Sequence, residues 1–142
     1  MSRLTGMLKN KVAILDGSTG VMLQRRGMPA GVCPEVFCLE HPEIIQAIQD
    51  EYFDAGSDIV YTPTFGANRV KLHNYQLESQ VSDFNRRLAD LSLKVAHARQ
   101  GLAAGNVSTT GLFFAPFGET AFEQGIEIFS EQIKALASAG VD

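Results

Sequence analysis

Asp16-Gly17-Ser18-Thr19-Gly20 sets a carboxylate, glycines and hydroxyls directly behind a short apolar run, Val12 to Leu15. Such a run, bounded by Asp-Gly, reads as a buried strand that ends abruptly. A helical pattern from Val21 to Arg26 follows at once. A carboxylate and small residues at the C-terminal end of a buried strand form a common ligand position in α/β proteins. The plainer alternative is a strand-to-helix turn in which Asp16 or Thr19 caps the helix. Other chemistries fit less well. Gly17 to Gly20 lacks the lysine of a phosphate-binding loop, and a phosphoaspartate site would want a second carboxylate where Ser18 stands.

The remaining reactive side chains are few. Cys33 and Cys38 supply two metal ligands at most, with no matching His or Cys pair nearby, so no metal site is assigned to them. His41 opens a helix, His73 closes a short one and His97 takes an exposed helical position. Met22 reads as core.

The 142 residues are 45% hydrophobic and 20% charged, with a net charge of −4. That is enough for one domain with a core. Mild acidity and the lack of a Lys/Arg cluster argue against nucleic-acid binding. No apolar run approaches a membrane span, and Met1 to Asn10 lacks the apolar core of a signal peptide. Two cysteines without an export signal are expected to be reduced thiols in the cytoplasm.

The elements that must position Asp16 follow in order. Gly and Pro crowd Arg26 to Gly31, a loop that Cys33 to Glu40 continues as irregular chain. Pro42 and Glu43 start a helix, with Ile44, Ile48, Tyr52 and Ala55 on one face and Gly56 behind its end. Asp58 to Phe65 is the second strand, whose regular pairing should fail at Pro63. A short helix spans Arg69 to His73. A longer one carries the stripe Val81, Phe84, Leu88, Leu91, Val95 and Ala98. Leu102 to Val107 is a weak third strand, interrupted by Gly105. Phe113, Phe114 and Phe117 should tuck under neighbouring elements. Thr120 to Glu123 reads as a capping box, and Phe122, Ile126, Phe129, Ile133 and Leu136 as a core-facing stripe. Val141-Asp142 resembles the approach to a fourth strand.

Strand and helix alternate with short connections, so the expected fold is α/β, built of parallel βα units. Three strands suit the first half of a TIM-type (β/α)8 barrel, whose ligands sit at the C-terminal strand ends. Asp16-Gly17, Thr64-Phe65-Gly66 and Asn106 all fall there.

The same residues carry a resemblance. Asp16 to Gly20, with Met22-Leu23-Gln24, resembles the Asp-Gly-Ala-x-Gly-Thr-x-Leu-Gln opening of the homocysteine S-methyltransferase family. Within it, the chain resembles most the homocysteine-binding module at the N-terminus of cobalamin-dependent methionine synthases. His41 to Ile45 and Ala55 to Val60 are similar to that family's second helix and second strand. Thr62 to Leu72 resembles its Thr-Asn-Thr-Phe-Gly-Ala-Asn segment. Ala104 to Val107, Thr110-Gly111, Pro116, Gly118 and Phe122-Glu123 resemble its third-strand end.

The resemblance implies a barrel that presents the sulfur of homocysteine to a methyl donor, a corrinoid or a methylated pterin. In the family, zinc held by three cysteines makes the sulfur a thiolate, the nucleophilic form. By the same resemblance Asp16 and Gly17 would hold the amino-acid end of homocysteine, with Thr64, Phe65, Asn68 and Asn106 lining the mouth. The zinc cysteines belong to a later part of the barrel than residues 1–142, which are expected to be its N-terminal half, stopping before the fourth strand. Cys33 and Cys38 do not match them, so neither a catalytic nor a metal-binding residue is assigned. Pro63 stands where the family usually has Asn, and Ser108-Thr109 replaces its Gly-Pro.

Two expectations compete. One is a homocysteine-positioning part of a methyltransferase, inactive alone, that works with a corrinoid-binding domain or protein. The other is a non-catalytic half-barrel that binds a small amino acid or associates with another subunit, since an uncovered strand edge and apolar face invite association.

Overall fold

Two short parallel strands, β1 (Ile59–Tyr61) and β2 (Leu102–Ala104), form the centre of the computed structural model, which describes residues 2–142. Met1, the first residue of the segment read for a signal peptide, lies outside them. The strands pair Ile59 with Leu102 and Tyr61 with Ala104. Further chain meets both edges. Leu15 bridges to Ile59 on one side, and the Asp142 N–H donates to the Ala103 carbonyl at 3.0 Å on the other.

The segment before Asp16 differs from expectation. Val12 to Leu15 is not a buried strand but an extended edge with a single bridge, and Val12 is 87% exposed. Asp58 holds it, accepting from the Ile14 N–H and from the Lys11 ammonium. The second and third strands are also shorter than their sequence patterns. Past Tyr61 the Thr64 N–H turns back to the Thr62 carbonyl at 2.8 Å. That is the consequence expected of Pro63, which has no N–H for a ladder.

Helices cover the strands. They are α1 (Arg3–Leu8), α2 (Thr19–Arg25), α3 (Pro34–Glu40), α4 (Pro42–Asp54), α5 (Arg69–His73), α6 (Val81–Ala98) and α7 (Phe122–Ala139). Helix α3 replaces the irregular stretch expected at Cys33 to Glu40. Its Pro34-Glu35 start repeats the Pro42-Glu43 start of α4, a proline at the first turn followed by an acid near the positive helix end. Ile45 and Ile48 of α4 meet Phe37 and Cys38 of α3, Leu72 of α5, and Val81, Phe84 and Leu88 of α6 in the main core. Val60 and Ala103 of the strands join Leu93 and Ala96 of α6 in a second cluster.

The last helix is rotated from the expected stripe. Its buried face is Gly125, Gln132, Ala135 and Leu136, whereas Phe122, Ile126 and Ile133 are exposed. Gly125 sets the rotation, because a Cβ there would stand 2.6 Å from the Phe114 ring. The capping arrangement also shifts by one residue. Ala121 rather than Thr120 is the N-cap, with its N–H donating to Gln124 Oε1 at 3.2 Å. Phe114 is half-buried, but Phe113 and Phe117 are 74% and 90% exposed instead of tucked in.

Candidate functional site

A cleft of about 600 Å³ opens where the C-terminal ends of the parallel strands converge. The loop Gly17 to Gly20 forms one wall, Pro34, Glu35 and Cys38 of α3 another. Tyr61 to Pro63, Phe65-Gly66, Lys71 and Asn106 complete it.

Asp16 lies immediately before the first wall. Its N–H donates to the Ile59 carbonyl at 3.0 Å, and its Oδ2 accepts from the Tyr61 N–H at 3.1 Å. The carboxylate is thereby fastened to β1. Its Oδ1 is buried and has no hydrogen-bond partner among the described residues. Desolvation pushes the carboxyl up to about 6, against the lowering effect of the Tyr61 hydrogen bond. Helix α2 takes Ser18, not Asp16 or Thr19, as its N-cap residue, and no side chain caps it. Asp16 therefore has a buried acceptor to spare, which the helix does not use.

Gly17 is glycine for a reason of space. A Cβ there would stand 2.9 Å from the Tyr52 hydroxyl, which itself donates to the Ser18 carbonyl at 3.4 Å. The other residues singled out from the sequence divide into two groups. Gly17, Phe65 and Asn106 line the cleft, and Phe65 is 58% exposed. Thr64 and Asn68 are fully buried and support the wall instead. Thr64 Oγ1 donates to the Asn106 carbonyl at 2.8 Å, and the Asn106 N–H donates to Thr62 Oγ1 at 3.0 Å. Asn68 caps α5, its Oδ1 accepting from the Lys71 N–H at 3.0 Å.

Several site residues escaped the sequence reading. Glu35 is 3% exposed, accepts from the Gly66 N–H at 2.7 Å through Oε1, and accepts from the Cys33 thiol at 3.2 Å through Oε2. It thus ties α3 to the loop that carries Phe65. The Pro34-Glu35 pair was the available signal, since it has the form of a helix start. Gln132 reaches the same loop from α7, donating to the Thr64 carbonyl at 2.8 Å and to Asn85 Oδ1 at 3.2 Å. No local pattern marks that contact.

The thiols do not fit a zinc site. Burial is the main cause that raises Cys33 to about 11 and Cys38 to about 12, with the Glu35 charge acting in the same direction. Among the described residues, no three His, Cys, Asp or Glu side chains are grouped to hold a metal. No helix among the described residues is long and apolar enough to cross a membrane.

A family model described as homocysteine S-methyltransferase matches residues 13–142. Betaine–homocysteine S-methyltransferase 1 of Rattus norvegicus is 31% identical over 137 residues, covering 93% of this chain and 33% of that protein. The S-methylmethionine–homocysteine S-methyltransferase of Pongo abelii is 29% identical, covering 93% of this chain and 34% of that protein. Methionine synthase of Mycobacterium leprae is 26% identical, with 95% of this chain matching 12% of that protein. The chain has the fold of the metallated Escherichia coli homocysteine methyltransferase MmuM, with a TM-score of 0.81 at 21% identity. That match covers 98% of this chain and 55% of the other. The chain thus spans about a third of the length of the first two relatives and about half of the solved structure. A match over residues 13–142 is nearly the whole sequence, and this chain belongs to the homocysteine S-methyltransferase family.

Proposed function

We propose that the chain positions homocysteine for methyl transfer and is the N-terminal half of a (β/α)8 barrel. The observation that carries this reading is Asp16. A carboxylate fastened to a strand end, with one buried oxygen unpartnered beside a cleft, suits the ammonium of an amino acid. Gly17 keeps the backbone beside it low, and Phe65 offers an apolar surface to the ligand's methylenes. Thr64 and Asn68 act from behind, holding the Phe65 and Asn106 walls.

In the family the sulfur is activated by zinc. Among the described residues the two thiols have no third ligand grouped with them, so residues 1–142 are proposed to orient the substrate without activating it. The chain alone is therefore proposed to be inactive. The methyl donor, a corrinoid or methylated pterin where the chain follows the methionine synthase pattern, would meet the sulfur through another domain or protein. Relatives named for betaine and S-methylmethionine keep those donors open.

Titration calorimetry tests the reading. Homocysteine should bind with heat that Asp16→Asn removes, while a simple carboxylic or phosphorylated metabolite gives less. Zinc-dependent methyl transfer by residues 1–142 alone would overturn the inactivity proposal.

A second reading has its own observation. Phe113, Phe117, Phe122, Ile126 and Ile133 are large apolar side chains facing water on α7 and the segment before it. This favours self-association of the chain or its coverage by another subunit.

A further inference from the structure

Lys71 is the cation of the cleft, and its surroundings set it apart from the other Lys and Arg side chains among the described residues. Arg3, Lys11, Arg26, Arg69, Arg86, Arg87 and Arg99 each have a carboxylate within 4.0 Å. Lys9, Arg25, Lys94 and Lys134 have none among the described residues, but they are exposed and water serves them. Lys71 is half-buried, lines the cleft, and also has no carboxylate within that distance among the described residues. Glu35, the acid that shares the cleft lining, has both oxygens engaged by Gly66 and Cys33.

The ammonium is nonetheless held in place. It donates to Ser108 Oγ at 3.0 Å, and the Ser108 hydroxyl donates onward to the Thr109 carbonyl at 3.2 Å. It also lies 4.6 Å from the centroid of the Phe65 ring. An ammonium has three N–H donors, and Ser108 takes one. The backbone that carries it is fixed as well, because Asn68 caps the helix at the Lys71 N–H. A fixed positive charge with spare donors, partly removed from water and facing a cleft, is a receptor for an anion.

We infer that Lys71 is the carboxylate-binding residue of the cleft, holding the anionic end of a small zwitterionic ligand. The inference deepens the reading of the cleft as an amino-acid site and rests on it for the identity of the ligand. Asp16 supplies the negative counterpart. The carboxylate could belong to the thiol-bearing amino acid or to a carboxylate-bearing methyl donor such as betaine, and the chemistry at Lys71 is the same.

The test is titration calorimetry on the 142-residue chain with matched ligands. L-homocysteine is compared with 3-aminopropane-1-thiol, which keeps its thiol and amine and lacks the carboxylate. Betaine is compared with tetramethylammonium in the same way. Lys71→Met should weaken the carboxylate-bearing ligand about tenfold or more, leave its carboxylate-free partner unchanged, and be rescued by Lys71→Arg. Lys71→Gln, which can still meet Ser108, serves if the Met variant does not fold. Equal loss for both members of a pair, or no loss for either carboxylate, overturns the inference. Homocysteine binding that ignores Lys71 would leave the amino-acid reading standing alone. Betaine binding that needs Lys71, without homocysteine binding, would do the reverse. A wild-type chain that binds none of these carboxylates refutes both.

Discussion

Gln132 and Thr64 are joined across the length of the fold: the Gln132 side-chain amide donates to the Thr64 carbonyl at 2.8 Å, both residues fully buried. The same amide donates to Asn85 Oδ1, and the Asn85 amide donates to the Ala67 and Val81 carbonyls, both at 2.7 Å. Helices α6 and α7 thereby grip the loop that carries Phe65 from behind. Replacing Gln132 by Leu leaves the Thr64 carbonyl and Asn85 oxygen short of donors in a dry interior. The expected loss is about 2–4 kcal/mol in urea unfolding. A loss below about 0.5 kcal/mol would show that the network is not needed.

The carboxyl of Asp16 titrates near 6 in the folded chain against 3.8 as its ordinary value. An acid raised by folding stabilises the fold when protonated, so its contribution is complete below about pH 4 and fades as pH rises through 6. Because the group is part-solvated, the effect is discounted to about 1–2 kcal/mol. Wild type should therefore lose stability relative to Asp16→Asn between pH 4 and 6, measured by denaturant unfolding. Parallel curves for the two proteins would contradict the assignment.

Ligand binding should show the opposite slope. An ammonium favours the ionised carboxylate, so homocysteine affinity should climb about tenfold per pH unit below 6 and level off above it. Asp16→Asn should give weak, flat binding. A slope that survives in the variant would assign the proton elsewhere.

Cys33 and Cys38, held near 11 and 12, should resist alkylation at pH 8 in the folded chain and react on unfolding. Mass spectrometry after iodoacetamide treatment reads this directly. Rapid labelling of the native chain would mean that the thiols are more open than their burial implies.

Phe117 and Ile133 test the apolar surface. Phe117→Ser with Ile133→Lys should lower concentration-dependent association in sedimentation velocity without a large change in unfolding, because both side chains are already exposed. An unchanged sedimentation profile, or a monomeric wild type at all concentrations, would count against self-association.

Much of this architecture was legible in the linear order of residues. The long helices α4 and α6 follow from apolar spacing and, for α4, from Pro42-Glu43, but the buried face of α4 is Ile45, Ile48 and Gln49, one residue round from the expected Ile44, Ile48, Tyr52 and Ala55. The parallel order follows from short strands alternating with helices. Helix α3 was hidden by its cysteines and by the glycine-rich loop before it, although Pro34-Glu35 marked its start. The orientation of α7 was not legible, because its apolar residues cover two faces and tertiary contacts, Gly125 against Phe114 and Gln132 against Thr64, select one.

What the sequence by itself determined is which residues stand behind the strands: a carboxylate and glycine after the first strand segment, Thr64-Phe65-Gly66 after the second, Asn106 after the third. Local chemistry suffices for that, since turns and strand ends are written in neighbouring residues. Only the tertiary structure decided the parts each residue plays. It turned Thr64 and Asn68 inward as supports and left Asp16 with an unsatisfied oxygen. It also brought Glu35, Lys71 and Gln132 to the loop around Phe65. Those relationships join residues far apart in the chain, and burial and charge pairing exist only once the elements have met.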